Sequence, residues 1–311
     1  MATSIVEFFG FSPRDPSKNA ILHRQTANCP FIGGECTKHF NDNTPSGACT
    51  IRQVTSGPVI CCPNRLYASD YQILLDVAES AFGAGVTLTK GSDLNSVQKG
   101  RTVVAFGKKW GKELRLSKRM KDGKSSGSYF VDWILALLDD KGQLQEFVAV
   151  EVQTIDTTGT YKAEAAQYRK NADFEGMSAA GLNWENVNKR ILPQLIYKGN
   201  VLRREPLCKK GLFFVCPTPV YHKIAKRIGK TKPYHPQTGS LTFRWYDIEN
   251  KDSPGVPRPL VFEGEHTTTI DEVSKAFTGA NDLPPPKVYE DAIRAGLAIA
   301  ATPKKKKNSR G

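Results

Sequence analysis

The chain has 311 residues, enough for one large or two ordinary domains, and its 39% hydrophobic and 24% charged content is that of a soluble globular protein. No apolar run approaches the roughly 18 residues of a membrane span. "MATSIVEFFGFSPRD" at 1–15 has neither a basic start nor a long apolar segment, so no secretory signal is expected and a cytoplasmic location is. The formal charge is +13, and a basic excess persists when the lysines and Arg310 of the tail "PKKKKNSRG" are set aside, which favours a polyanionic partner, nucleic acid above all.

Five of the seven cysteines, Cys29, Cys36, Cys49, Cys61 and Cys62, crowd the N-terminal part in "NCPFIGGECTKHF", "PSGACTIRQ" and "VICCPNR". In a reducing compartment such clustering reads as metal ligation rather than disulfides. The Gly, Pro and Asn around them supply the tight turns that wrap backbone about a tetrahedral ion. Cys29, Cys36, Cys49 and Cys62 are the expected ligands, with Cys61 as the spare and His39 as an alternative fourth. Free cysteines in a loop-rich lobe are the competing reading. Four thiolates suit zinc or iron, and ligand softness does not separate the two.

"ASDYQILLDVAESAFG" at 68–83 predicts an amphipathic helix capped by Ser69 or Asp70 and stopped by Gly83. A basic stretch, "GKKWGKELRLSKRMKDGK", follows at 107–124. Two apolar segments, Ser128 to Leu138 and Leu144 to Thr154, then flank "DDKGQ", which has the chemistry of a short hairpin turn. With Lys141 and Gly142 as the central turn residues, Asp132 falls across from Glu151. Side chains two apart on a strand share a face, so Glu151 and Gln153 point together, opposite to Val148, Val150 and Val152.

Opposed carboxylates lie with Cβ atoms about 4.5–5.5 Å apart and repel. Asp132 sits in "FVDWIL", with apolar residues on both faces, and is expected to be buried, where an unpaired charge is costly. A divalent cation between Asp132 and Glu151 removes both difficulties. A hard ion such as magnesium, held by two carboxylates and a substrate phosphate, activates water for phosphodiester hydrolysis. Gln153 would orient that water or the substrate.

Downstream, "TYKAEAAQYRKNADF" predicts a helix with Lys162 in its first turn, and "LNWENVNKRILPQLIYKGNVLRRE" a helix kinked at Pro193. "GLFFVCPTPV" predicts a buried strand, making Cys208 and Cys216 packing residues. "YHKIAKRIGKTKPYHPQ" reads as a loop-rich basic segment suited to phosphate contact, "DLPPPK" as a stiff linker into a last helix, and the basic tail as a source of salt-dependent affinity.

Several of these residues carry a resemblance. "EFFG" near the start, "CPF" at Cys29, "CPNR" at Cys62, "VVAF" with "GKELRLSK" at 103–118, "VDW" at Asp132 and "EVQT" through "GTYK" at Glu151 to Lys162 occur in an order that resembles the NotI-type type II restriction endonucleases of the PD-(D/E)xK nuclease superfamily. Asp132 matches the first acid and Glu151 the second. Gln153 stands where most of the superfamily has lysine, a departure that the NotI group shares. Residues 170–311 carry little of the likeness.

The resemblance implies an α/β restriction-endonuclease-like core, a central mixed sheet flanked by helices, with a small loop-rich four-cysteine metal lobe. The lobe is expected within 1–67, the nuclease core and DNA-recognition elements within 68–286, and a helix and basic tail over 287–311. It implies Asp132, Glu151 and Gln153 as catalytic residues, and Glu113, in "GKELRLSK", as an acid that could bind a second metal or water. It further implies a magnesium cofactor, one structural iron on Cys29, Cys36, Cys49 and Cys62, and double-stranded DNA cut at a GC-rich palindrome by a homodimer. Two competitors stand beside this expectation: a non-catalytic metal-containing DNA-binding protein, and a structure-specific repair nuclease.

Overall fold

A computed structural model describes residues 3–54, 56–96, 101–107, 110, 114–119, 125–279 and 285–301. At the N-terminus, β1 (Thr3–Phe8) leads into helix α1 (Lys18–Thr26), the two-residue strands β2 (Asn28–Cys29) and β3 (Gly34–Glu35), then β4 (Ala48–Gln53) and β5 (Pro58–Ile60). The order β1-β4-β5 forms a three-stranded antiparallel sheet, with β2 paired to β3 beside it. A short 3-10 turn, Pro63–Tyr67, then enters α2 (Ala68–Phe82). The predicted helix is present and ends at Gly83, but neither Ser69 nor Asp70 caps it. Ser69, Asp70 and Tyr71 take left-handed backbone angles instead, so regular helix begins after them.

The main sheet uses β6 (Thr87–Lys90), β7 (Thr102–Gly107), β10 (Trp133–Leu138), β11 (Leu144–Val152), β14 (Leu212–Pro217), β15 (Ser240–Ile248) and β16 (Leu260–Thr269). A separate ribbon pairs β8 (Arg115–Arg119) with β9 (Ser125–Phe130), and another pairs β12 (Thr157–Thr158) with β13 (Gly181–Leu182). The seven strands lie in the order β16-β15-β14-β11-β10-β7-β6. The pairs β14–β15, β11–β14 and β6–β7 are parallel and the rest antiparallel, which makes this the mixed sheet expected. Every residue of β14 is buried, as befits a central strand flanked by parallel neighbours.

Helix α2 packs on one face, over Val103, Leu135, Val148, Val150 and Phe213. The other face carries α4 (Leu192–Leu202), α5 (Thr218–Ile228) and α6 (Ile270–Thr278), with Ala149, Phe214, Leu241 and Phe243 beneath them. Helix α3 (Lys162–Arg169) follows β11, and α7 (Val288–Ala301) lies near the C-terminus. At the predicted kink the helix takes a π turn, Val187–Ile191, in which Leu192 N–H donates to the Val187 carbonyl, and it runs directly into α4 with Pro193 just past that turn. The first part of the segment read as a basic loop, from Tyr221 to Ile228, is helical and belongs to α5. Its Val220, Ile224 and Ile228 recur at helical spacing and are buried, a period outweighed in the sequence by the surrounding Lys and Pro.

The β10–β11 hairpin holds the partners predicted for it by a different route. Instead of a two-residue turn, Asp139 N–H donates to the Gln143 carbonyl at 2.9 Å, which leaves Asp140, Lys141 and Gly142 as the loop. Asp139 Oδ1 accepts from the N–H groups of Lys141 and Gln143, and Gly142 takes φ 76°, a left-handed angle that favours glycine. Leu138 then pairs with Leu144, and a bulge restores Leu137 to Glu146. The longer loop and the bulge cancel, and from Leu137 to Trp133 the partners are those expected. A second correction concerns Ser128 to Leu138, which is not one strand: β9 ends at Phe130, and the chain bends at Val131 and Asp132 before β10 begins.

Candidate active site

The pairs from Leu137–Glu146 to Trp133–Val150 extend by one step to set Asp132 opposite Glu151. The two are tied by backbone. Val152 N–H donates to Asp132 Oδ2 at 2.8 Å, and Asp132 N–H donates to the Glu151 carboxylate. Their surroundings differ. Glu151 is 2% exposed beneath α4, whereas Asp132, expected in the interior, is exposed, because the bend before β10 lifts it from the apolar sheet face.

Burial pushes the Glu151 carboxyl up to about 7; the neighbouring Asp132 adds to the rise, and Lys198 opposes it. Lys198, from α4, places Nζ 2.5 Å from Glu151 Oε1. Gln153, just past β11, donates from Nε2 to Gln194 Oε1 at 3.4 Å, and its backbone N–H joins the Val215 carbonyl. Tyr67, whose hydroxyl accepts from Trp133 Nε1 at 3.0 Å, is raised well above the usual phenol range by burial, then by Asp132 and, more weakly, Glu151. Lys162 lies in the first turn of α3 and pairs with Asp42 at 2.5 Å. Glu113 lies outside the described residues.

A cleft of 370 Å³ runs from Gln153 to the cysteine-rich region, lined among others by Lys38, Cys62, Asp156 and Arg190. Arg190 pairs with Asp156 at 2.8 Å, both among its lining residues.

The cysteines are free and buried. Cys62 is within electrostatic reach of Cys29, Cys36 and Cys49, and the Cys49 thiol hydrogen-bonds to Cys62, holding it below the usual thiol value and Cys49 above it. Backbone N–H groups of Phe31 and Ile32 point at the Cys29 sulfur, and those of Asn64 and Arg65 at Cys62, an arrangement that favours thiolates. Cys61 is placed differently, 3.4 Å from Lys38 Nζ and against the carbonyls of Ala48 and Cys49. Among the described residues no three His, Cys, Asp or Glu side chains form a metal-binding group.

A family model described as Restriction endonuclease NotI matches residues 20–234, a span that includes the acid pair, Gln153 and all four expected cysteine ligands. The chain belongs to the NotI restriction endonuclease family. No curated protein matches it. As a NotI-family type II restriction endonuclease it is a site-specific nuclease with DNA as its partner, in keeping with the +13 charge. No helix among the described residues is long and apolar enough to cross a membrane.

Lys198, Gln194 and Tyr67 were not singled out from the sequence of this NotI-family chain. Gln194 and Lys198 are four apart on a helix, roughly 6 Å along its axis, while Glu151 and Gln153, two apart on an extended chain, span roughly 6.6 Å. The helix therefore presents its pair to the strand's pair in register. That spacing is visible in the sequence, but which helix covers β11 is not.

Proposed function

We propose that the protein is a magnesium-dependent type II restriction endonuclease that cuts both strands of a GC-rich palindromic site as a homodimer, with Asp132 and Glu151 as its metal-binding acids. The observation that carries this reading is the backbone-linked opposition of Asp132 and Glu151. Like-charged carboxylates held so close, one raised by burial and by the other, form an oxygen donor set that suits a hard divalent cation. When bound, magnesium supplies charge neutralisation at the scissile phosphate and a more acidic water.

The chain's own residues do the rest. Asp132, exposed at the bend, meets the DNA backbone side of the site, and Glu151 anchors the inner side. Gln153, held toward α4 by Gln194, orients the attacking water through its amide and takes no charge. Glu113 is assigned as an auxiliary acid on resemblance alone. Incubation with genomic DNA and magnesium, followed by sequencing of the ends, tests the reading. One recurrent palindrome at the ends supports it, and scattered ends or cuts confined to forks and nicks oppose it.

Cys29, Cys36, Cys49 and Cys62 fit a structural metal by their donor chemistry: buried thiols gathered around Cys62, with backbone N–H groups aimed at two of the sulfurs. They would hold one ion, iron on resemblance, zinc on softness alone. The segment 1–67 would then support DNA recognition while 68–286 carries cutting and base reading, the latter through Arg or Lys paired to guanine. The basic end at 287–311 would add sequence-independent affinity.

A further inference from the structure

We propose that Lys198 supplies the fixed positive charge of the cutting centre. The inference rests on the nuclease reading of Asp132 and Glu151. Position 153 puts an uncharged amide two residues past Glu151, just beyond the end of β11, yet attack on a phosphodiester adds negative charge to oxygens that are already anionic. Such charge is stabilised by pre-placed cations, each worth on the order of 100-fold in rate.

The placement of Lys198 is not that of a surface lysine. Its side chain is 16% exposed, and Nζ lies 2.5 Å from Oε1 of the 2% exposed Glu151. An isolated ammonium at such a depth is disfavoured, so the position is paid for by its partner. The helix that carries it is fixed by packing: Leu192, Leu195 and Leu202 are buried, and Gly199 abuts Ile270 so closely that a Cβ there would fall 2.2 Å from Ile270 Cδ1. One turn earlier on α4, Gln194 reaches Gln153. Lys198 thus stands on the helix side of the site, level with Glu151, and Gln194 level with Gln153.

In the reaction, the water oxygen forms the new bond to phosphorus as the bond to the leaving sugar oxygen breaks. The water loses a proton to solvent, and the leaving oxygen gains one from solvent. Lys198 keeps Glu151 in place and donates to a non-bridging phosphate oxygen.

The test compares wild type, Lys198→Gln and the double variant Gln153→Lys/Lys198→Gln. Single-turnover cutting is measured on a duplex carrying the site found by the genomic digest, binding to that duplex with calcium in place of magnesium, and folding by thermal melting. Lys198→Gln is expected to cut about 100-fold more slowly with binding and melting near wild type, and moving the charge to position 153 should recover at least about a tenth of the lost rate. A variant within about threefold of wild type overturns the inference. So does a loss of cutting that tracks lost binding or melting, or one that the double variant does not relieve. Should Lys198→Gln fail to fold, Lys198→Met, which keeps the apolar stem, takes its place with the same outcomes. A wild type that never cuts defeats the nuclease reading itself, whereas a cutting wild type, an inactive Asp132→Asn and a fully active Lys198→Gln defeat only the role of the lysine.

Discussion

Asp132 and Glu151 each accept a hydrogen bond from the backbone of the other's segment: Val152 N–H to Asp132, and Asp132 N–H to Glu151. The two carboxylates repel, yet neither can swing away without giving up a bond to the opposite segment. Their separation is therefore set by the β10–β11 hairpin rather than by side-chain choice, which is the preorganisation that a metal-assisted site requires.

The metal-free protein should lose stability as pH rises through neutrality. Glu151 has a folded-state value raised from 4.5 to about 7, so between those values the folded chain holds a proton that the unfolded chain releases. The favourable contribution is complete below 4.5 and is lost as pH climbs through 7. Its size is at most about 3.5 kcal/mol at roughly 1.4 kcal/mol per pKa unit. Denaturant titrations at several pH values in a chelating buffer measure it. Glu151→Gln should flatten the dependence while abolishing cutting, and an unchanged slope would exclude Glu151 as its source.

Metal content should separate the cysteines. Serine at position 29, 36, 49 or 62 should each reduce the bound iron or zinc from about one ion per chain to a small fraction. Cys61→Ser and Cys208→Ser should leave it intact, since Cys61 faces Lys38 and Cys208 lies in the main core. Elemental analysis of the purified variants decides this, and equal loss from Cys61→Ser would point to a different ligand set.

The N-terminal sheet should depend on Glu7 and Arg65. Arg65 Nε lies 2.9 Å from Glu7 Oε2 and Nη2 lies 3.0 Å from Oε1, both side chains fully buried, and Thr50 also donates to Glu7. Glu7→Ala leaves an uncompensated guanidinium in the interior and should cost about 3–5 kcal/mol in urea unfolding. A loss below about 1 kcal/mol would show that the cation reaches water.

Enlarging Gly199 should disturb the site without touching it. Any Cβ there meets Ile270 in the contact between α4 and α6, so Gly199→Val should destabilise by about 1–3 kcal/mol through overpacking. It should also slow cutting by more than the unfolded fraction explains, because Gln194 and Lys198 ride on the same helix. Cutting in proportion to folded protein would separate the helix from the chemistry.

The acid pair was legible because strand alternation and turn chemistry are local properties. The loop is one residue longer than expected, but the bulge between Leu137 and Leu138 absorbs it, so the predicted partners survive a wrong turn type. The exposure of Asp132 was not legible. Apolar neighbours made Ser128 to Leu138 read as a single strand, and only pairing of β9 with β8 reveals the bend. Lys198 was hidden for a different reason: it is 47 positions from Glu151, and nothing local says which helix a parallel crossover lays over which strand. The helix α5 was masked by the lysines on its solvent side, although its buried Val220, Ile224 and Ile228 keep helical spacing.

A sequenced digest of unmethylated genomic DNA by wild type and by Asp132→Asn, each with magnesium and with calcium, tests the role of the acid pair most directly. The expected result is that wild type with magnesium leaves one recurrent palindromic sequence at every end, and that Asp132→Asn binds the same duplex but leaves it whole. Cutting by Asp132→Asn at the wild-type rate, or well-folded wild type that makes no defined cut, would contradict it.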